Sequence, residues 1–189
     1  MLDRVYPWGK PVRAHTAQFI RAELAREPWQ IQAYFRLRSE IFAVEQGLFV
    51  GSDRDPHDAH ATPIVAQGEI AGMPDGVVGV VRIYRETETR GSAQGKDTWF
   101  GGRLGVSRAY RRVGAVGTAL ITEAVSTAHG WGCRRFLATV QEPNARYFEH
   151  HHFRRLEQIV LHGLPHFLME ADLERYPSQL SSAFRARAS

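Results

Sequence analysis

The 189-residue chain has one cysteine, no apolar run long enough to cross a membrane, no internal repeat and no low-complexity tract. Cys133 has no partner for an internal disulfide, which fits a reducing cytoplasm. No Cys-rich framework at metal-ligand spacing is present, so no bound metal is expected. A membrane helix needs about 20 consecutive apolar residues, and none occur here. The N-terminal M-L-D-R-V-Y-P-W-G-K lacks the apolar stretch of a signal peptide. Basic residues do not gather into a stripe. They interleave with acids except in pairs such as Arg111-Arg112, Arg134-Arg135 and Arg154-Arg155. Without a basic helix or an aromatic stacking module, a nucleic-acid partner is not expected.

The composition is that of one packed domain, 43% hydrophobic and 23% charged. The net charge of +4 favours anionic partners, phosphorylated cofactors among them. Residues 1–16 carry prolines and little periodicity and read as an arm. Residues 17–175 form the domain, and 176–189 a polar tail. Phe19–Leu24 reads as a strand. Pro28–Gln46 reads as a helix from the spacing of Trp29, Ile31, Tyr34, Phe35, Leu37, Ile41 and Phe42, with Pro28 in its first turn and Gly47 as its stop. Gly51–Ala61 is a polar loop, Pro63–Ala66 a short strand and Met73–Gly76 a turn. Val77–Tyr84 is a β-branched central strand, followed by a loop to Asp97 and a strand over Trp99–Val106. A helix over Gly117–Gly130, a strand over Arg135–Val140, a short helix over Asn144–His151 and strands over Arg155–His162 and Phe167–Ala171 complete the domain. The order β-α-β-β-β-α-β-α-β-β points to an α/β (α+β) domain with a mixed sheet and helices on both faces.

Tyr110–Leu120, Y-R-R-V-G-A-V-G-T-A-L, lies between a strand and a helix. Such a turn aims backbone N–H groups and the positive end of a helix at one spot. Small residues admit a phosphate, and arginines add charge-assisted contacts. Glycines alone equally suit a plain helix cap.

The flanks weigh on that choice. Gly101–Val140 resembles the acetyl-CoA-binding core of the GNAT N-acetyltransferase superfamily: an apolar strand, R-x-x-G-x-G/A, a helix and the next strand. From Arg111 the motif reads R-R-V-G-A-V, with Val116 where Gly or Ala belongs. From Arg112 it reads R-V-G-A-V-G, with Ala115 and Gly117 at the small positions, and V-G-T-A-L-I falls in phase with the family's helix start. Leu37–Gln46, L-R-S-E-I-F-A-V-E-Q, resembles the first helix of a bacterial subgroup carrying R-x-x-V-F-V-x-E-Q, and D-R-D-P-H-D resembles its acidic loop. Val77–Tyr84 fits the third strand, with Gly79 and Arg82 in typical places. Glu142–Phe153 resembles the N-x-x-A-x-x-F-Y-x-x-x-G-F region. The D-x-H-D loop and the L-M-E-A-D ending are also similar to a smaller GNAT-like subgroup encoded beside nitrilases. The likeness covers Phe19 to Asp172.

The resemblance implies a mostly antiparallel, twisted sheet and acyl transfer from acetyl-CoA, or another acyl-CoA, to a small-molecule primary amine. Pantetheine would lie where two strands part near Leu104, Gly105 and Val106. Backbone amides of Val113, Gly114, Ala115, Val116, Gly117 and Thr118, with Arg111 and Arg112, would hold the diphosphate. Asn144 and Phe148 would border the cofactor. Direct attack on the thioester needs a base, an acid and donors near the carbonyl oxygen. Glu45 is the candidate base; a solvated helix-end carboxylate is the competing reading. Phe148 stands where the family often has the acidic Tyr. Tyr147 beside it is the candidate acid, although adjacent helical residues point about 100° apart; water is the alternative. Phe49, Asp53, Asp55, His57, Asp58 and Arg82 are the candidate acceptor residues, against a plain solvent loop.

Four further features invite chemistry. His57, Asp58 and His60 match no recognised metal spacing. His150-His151-His152 at a helix end cannot all face one ion. His162 and His166, flanking a Gly-Leu-Pro turn, line either the acceptor cleft or a plain hairpin. Cys133 reads as an inert packing residue. Transfer of longer acyl chains, as in the similarly folded acyl-homoserine lactone synthases, and a non-catalytic acyl-CoA-binding module are the alternatives. An edge strand at the C-terminus would allow a homodimer.

Overall fold

The computed structural model describes residues 19–47, 49–70, 73–85, 97–112, 114–161 and 163–178. The arm expected at 1–16, the loop over 86–96, Val113, His162 and the tail beyond 178 lie outside the described residues. Seven strands form one sheet: β1 (Phe19–Leu24), β2 (Thr62–Ile70), β3 (Met73–Arg85), β4 (Thr98–Val106), β5 (Arg135–Gln141), β6 (Phe153–Leu161) and β7 (Leu164–Ala171). Their spatial order is β1-β2-β3-β4-β5-β7-β6, and only β4 and β5 run parallel. Helix α1 (Pro28–Arg38) covers one face; α2 (Gly114–Gly130) and α3 (Ala145–His150) cover the other.

The two cores follow from the alternation of side chains along a strand. Ile64, Val81 and Ile83 meet Val116, Leu120 and Val125 of α2 on one face. Val65 and Val80 meet Tyr34, Leu37, Ile41 and Phe42 on the other. Pro28 opens α1, where its missing N–H removes no bond. The Gln30 side-chain oxygen accepts from the backbone N–H groups of Arg26 and Glu27, which fixes the chain as it enters the helix.

Several expected boundaries move. The helix from Pro28 is α-helical to Arg38 and then becomes a π-helix over Ser39–Glu45, before Gly47 ends the run at φ +60°. The wider winding lets this segment lie directly on β4: a Cβ added to Gly105 would come within 2.9 Å of Ile41 Cδ1. Met73–Gly76, expected as a turn, is the start of β3; Gly76 at φ +79° takes up a register shift against β2. Helix α2 starts at Gly114, three residues before Gly117, so Gly114–Gly117 form its first turn rather than precede it.

Candidate active site

Strands β4 and β5 pair only from Thr98↔Arg135 to Gly101↔Ala138, yet they continue to Val106 and Gln141. Beyond Gly101 they diverge. A bulge helps to turn β4 away: Val80 faces Gly105 and Arg82 faces Gly102, so two steps on β3 match three on β4. The extra residue falls at Arg103–Leu104, and Arg103 takes φ +55°, unusual for a non-glycine residue. Into the gap opens a cavity of about 810 Å³, bordered by Leu104, Gly105 and Val106 and running through the sheet.

On the α2 side the cavity meets Gly114 and Gly117 in the first turns of that helix. A Cβ added at Gly114 would meet open space. One at Gly117 would collide with the Tyr147 hydroxyl. Ala115 is exposed beside Gly114, whereas Val116 is buried in the core. Thr118 Oγ1 donates to the Gly114 carbonyl (3.0 Å) and lies 2.9 Å from His151 Nε2. His151 Nδ1 donates to the Tyr147 carbonyl (2.8 Å), so this histidine braces α3 against α2 rather than ending in solvent. Burial pushes the Tyr147 hydroxyl above its ordinary pKa, with a Thr118 hydrogen bond opposing. Asn144 and Phe148 border the cavity, and Phe148 packs edge-on against Phe153. Tyr110 anchors the turn before α2: its hydroxyl donates to Asp75, and burial together with that carboxylate pushes its pKa up to about 12.

Arg111 and Arg112 are exposed on this turn. Arg111 is also engaged: it forms an ion pair with Glu45, and its Nε donates to the Val106 carbonyl at 3.0 Å. Glu45, expected as the base, thus closes a bridge between the end of the π-helix and the turn before α2.

The carboxylates of the acidic loop turn inward into a charge lattice with three arginines, while Arg54, Pro56, His57, Ala59 and His60 stay exposed. Asp53 is 1% exposed and Arg38 not at all. Arg38 Nε donates to Asp53 at 2.7 Å, and its terminal nitrogens donate to Asp58 at 2.6 and 3.1 Å and to the Tyr34 hydroxyl at 3.0 Å. Arg82 donates to Asp55 at 2.8 Å and to Asp58 at 2.7 Å. Arg103 reaches Asp55 (3.1 Å) and the Asp53 carbonyl (2.9 Å). Burial works to raise the Asp58 carboxyl, but hydrogen bonds from Arg38, the Asp55 N–H and Arg82 outweigh it and hold Asp58 far below the usual carboxylate range. Asp55 is lowered in the same way, burial being overcome by Arg82 and then Arg103. Three carboxylates matched by three guanidiniums leave little charge for an ammonium to meet.

Arg38 and Arg103 are the residues that sequence reasoning missed. Arg38 carried a signal: with Tyr34, Leu37 and Ile41 it lies on the buried stripe of its helix, where an arginine needs acidic partners. Arg103 carried none, because only the bulge turns it toward Asp55. The cavity wall on this face is aromatic. His57 stacks on Tyr84 (4.5 Å), Tyr84 stacks on Phe100 (5.7 Å), and the Arg103 guanidinium lies 4.4 Å from the Phe49 ring. His166 of β7 lines the same cavity. Among the described residues no cluster of metal-ligating side chains exists, and no helix is long and apolar enough to cross a membrane.

A strand pair that parts around a cavity, with a helix N-terminus at one mouth, is the architecture that the GNAT-like motif implied. The profile of the Acetyltransferase (GNAT) family matches residues 17–153, and the chain belongs to that family. Solved structures of the same fold include a Lactobacillus plantarum protein assigned as an N-acetyltransferase (21% identity, TM-score 0.67, covering 82% of this chain and 98% of that one). Escherichia coli ElaA is similar as well (22% identity, TM-score 0.63, 82% and 100% covered). So is BjaI, a CoA-dependent acyl-homoserine lactone synthase solved with SAM and isopentyl-CoA (19% identity, TM-score 0.62, 82% of each chain). At these identities the likeness is one of fold. No curated protein matches the chain.

Proposed function

We propose that the chain is an acyl-CoA-dependent N-acyltransferase that passes the acyl group to a small primary amine by direct attack. The observation that carries this reading is the parting of β4 and β5 beyond Gly101 and Ala138, with the first turn of α2 at the gap. The free amides of that turn, with Arg111 and Arg112, suit a diphosphate. The open space at Gly114 and the tight contact at Gly117 fit backbone rather than side-chain recognition. The bound thioester supplies the acyl group. Strand β4 offers backbone N–H groups beside it, and the aromatic wall of His57, Tyr84 and Phe100 bounds the acceptor. We assign Tyr147 to the cradle, since its hydroxyl lies against Gly117, and the thiolate proton to water. Reduced Cys133 and the absence of a membrane-length helix among the described residues suit a cytoplasmic reaction.

Calorimetric titration with acetyl-CoA tests the reading. Micromolar binding is expected for wild type and none for Gly117→Trp. An amine screen with thiol release as the readout follows. Absence of binding to any CoA thioester overturns the assignment. Tight binding without turnover leaves an acyl-CoA-binding module.

One observation favours acyl chains longer than acetyl. The cavity continues past the gap to Ile121, Ala124 and Val125 of α2 and to Phe153, all apolar. A length series of acyl-CoA substrates separates the two: a kcat/KM maximum at acetyl restricts the enzyme to acetyl transfer, and a rise with chain length extends it.

A further inference from the structure

His166 of β7 borders the cavity between the parted strands. It pairs across β7 with Gln141 of β5 and Ile159 of β6, and it is 8% exposed. Its neighbour Phe167 and the following Met169 belong to the core on the sheet face that α2 and α3 cover. Alternation therefore turns His166 to the opposite face of the sheet, the face of Arg82 and Tyr84. There it borders the cavity that His57, Tyr84 and Phe100 also line.

Its ring nitrogens are distinguished. Nδ1 lies 2.9 Å from the Leu164 carbonyl oxygen. A carbonyl only accepts, so Nδ1 carries the hydrogen and the neutral ring keeps its lone pair on Nε2. Nε2 makes no hydrogen bond among the described residues, and it is not one of the buried nitrogens sealed from solvent. A nine-tenths-buried imidazole thus offers an unpartnered acceptor atom to the cavity. Glu45 has no such freedom, being held by Arg111. Asp55, Arg82 and Arg103, which line the same cavity, are engaged with one another, and the strand neighbours Gln141 and Ile159 are uncharged.

We propose that His166 is the general base of the acyl transfer, an inference that rests on the reading above. Nε2 takes a proton from the acceptor ammonium. The freed lone pair attacks the thioester carbonyl carbon, and the C–N bond forms as the C–S bond breaks. The second nitrogen proton passes through water to the departing thiolate, so one proton stays on His166 and is released to solvent at the end of the turnover. The bond from Nδ1 to Leu164 holds the ring and supports the imidazolium that forms.

Two measurements test this on the full chain. Long-range 1H–15N spectra of the imidazoles at pH 7.5, assigned by difference from His166→Gln, are expected to show the Nδ1–H form. An Nε2–H form overturns the proposal, because it leaves no lone pair toward the cavity. Thiol release from acetyl-CoA, with 2-phenylethylamine as acceptor and water counted with it, is the second. His166→Gln is expected to lower kcat by roughly 10²–10⁴-fold and to abolish the acidic limb of the kcat/KM profile. Its acetyl-CoA Kd should stay within about twofold, a split that a merely structural role would not give. A variant within about threefold of wild type, with the acidic limb intact, overturns the proposal. Wild type that binds no CoA thioester of any chain length, or binds one and releases no thiol with any amine of the screen, defeats the transferase reading instead, whatever the tautomer.

Discussion

Gly117 shows how much one missing methyl group decides. Its Cα lies under the Tyr147 hydroxyl, so even alanine must displace that ring. Gly117→Ala is expected to cost about 1–3 kcal/mol by overpacking, and to weaken acetyl-CoA binding at least tenfold; thermal melts and calorimetry check the two effects. The charge lattice makes the opposite point about removal. Arg38 is fully buried against Asp53 and Asp58, so Arg38→Met leaves carboxylates without their partner and should cost about 3–5 kcal/mol in urea unfolding. Arg134, whose side chain is 85% exposed beside Asp97, should lose under about 1 kcal/mol on conversion to alanine.

The lattice also sets an acid limit. Asp55 and Asp58 are depressed in the folded protein. Their stabilisation is therefore complete above the unfolded carboxylate value, about 3.9, and drains away as pH falls below it. Urea midpoints should be level from pH 7 to 5 and drop steeply from pH 4 to 2. Asp58→Asn should start lower and fall less over the acidic range. A midpoint unchanged between pH 5 and 2 would contradict the buried lattice.

At the scale of elements, the strands and helices were legible because their periodicities differ, as in V-V-G-V-V-R-I-Y against the spaced apolar residues of Leu120–Ala128. The two irregularities that make the site were not. The β4 bulge at Arg103–Leu104 and the π-helix over Ser39–Glu45 are each a slip in register of about one residue. Such a slip leaves composition untouched and depends on what lies opposite. Here Gly105 and Ile41 lie opposite each other. Gly105→Ala should therefore push the π-helix off β4, lowering stability by about 1–3 kcal/mol and raising the acceptor KM more than the acyl-CoA Kd. Melting curves and steady-state kinetics read both, and an equal change in KM and Kd would place the strain elsewhere.

Across the whole molecule, one sheet carries both cores, so they should unfold together. Cys133 reports on this. It is 3% exposed, and burial pushes its thiol up to about 11. A thiol reagent should be excluded in native buffer and should label Cys133 with the same denaturant midpoint as tryptophan fluorescence. Labelling well before that midpoint would show that the α2–β5 corner opens by itself.

The sequence alone determined the order of elements, the strand-turn-helix at Tyr110–Leu120 and the family it resembles. These depend on local periodicity and on small residues at fixed spacing, which a chain displays without folding. Tertiary structure alone decided that Asp53, Asp55 and Asp58 are spent on Arg38, Arg82 and Arg103, that Glu45 is tied to Arg111, and that His166 turns toward the cavity. Each is a relation between residues far apart in sequence, fixed by sheet register and by the face a side chain occupies. Hydrogen-bond partners, and with them the chemistry left free, are assigned only when those distant surfaces meet.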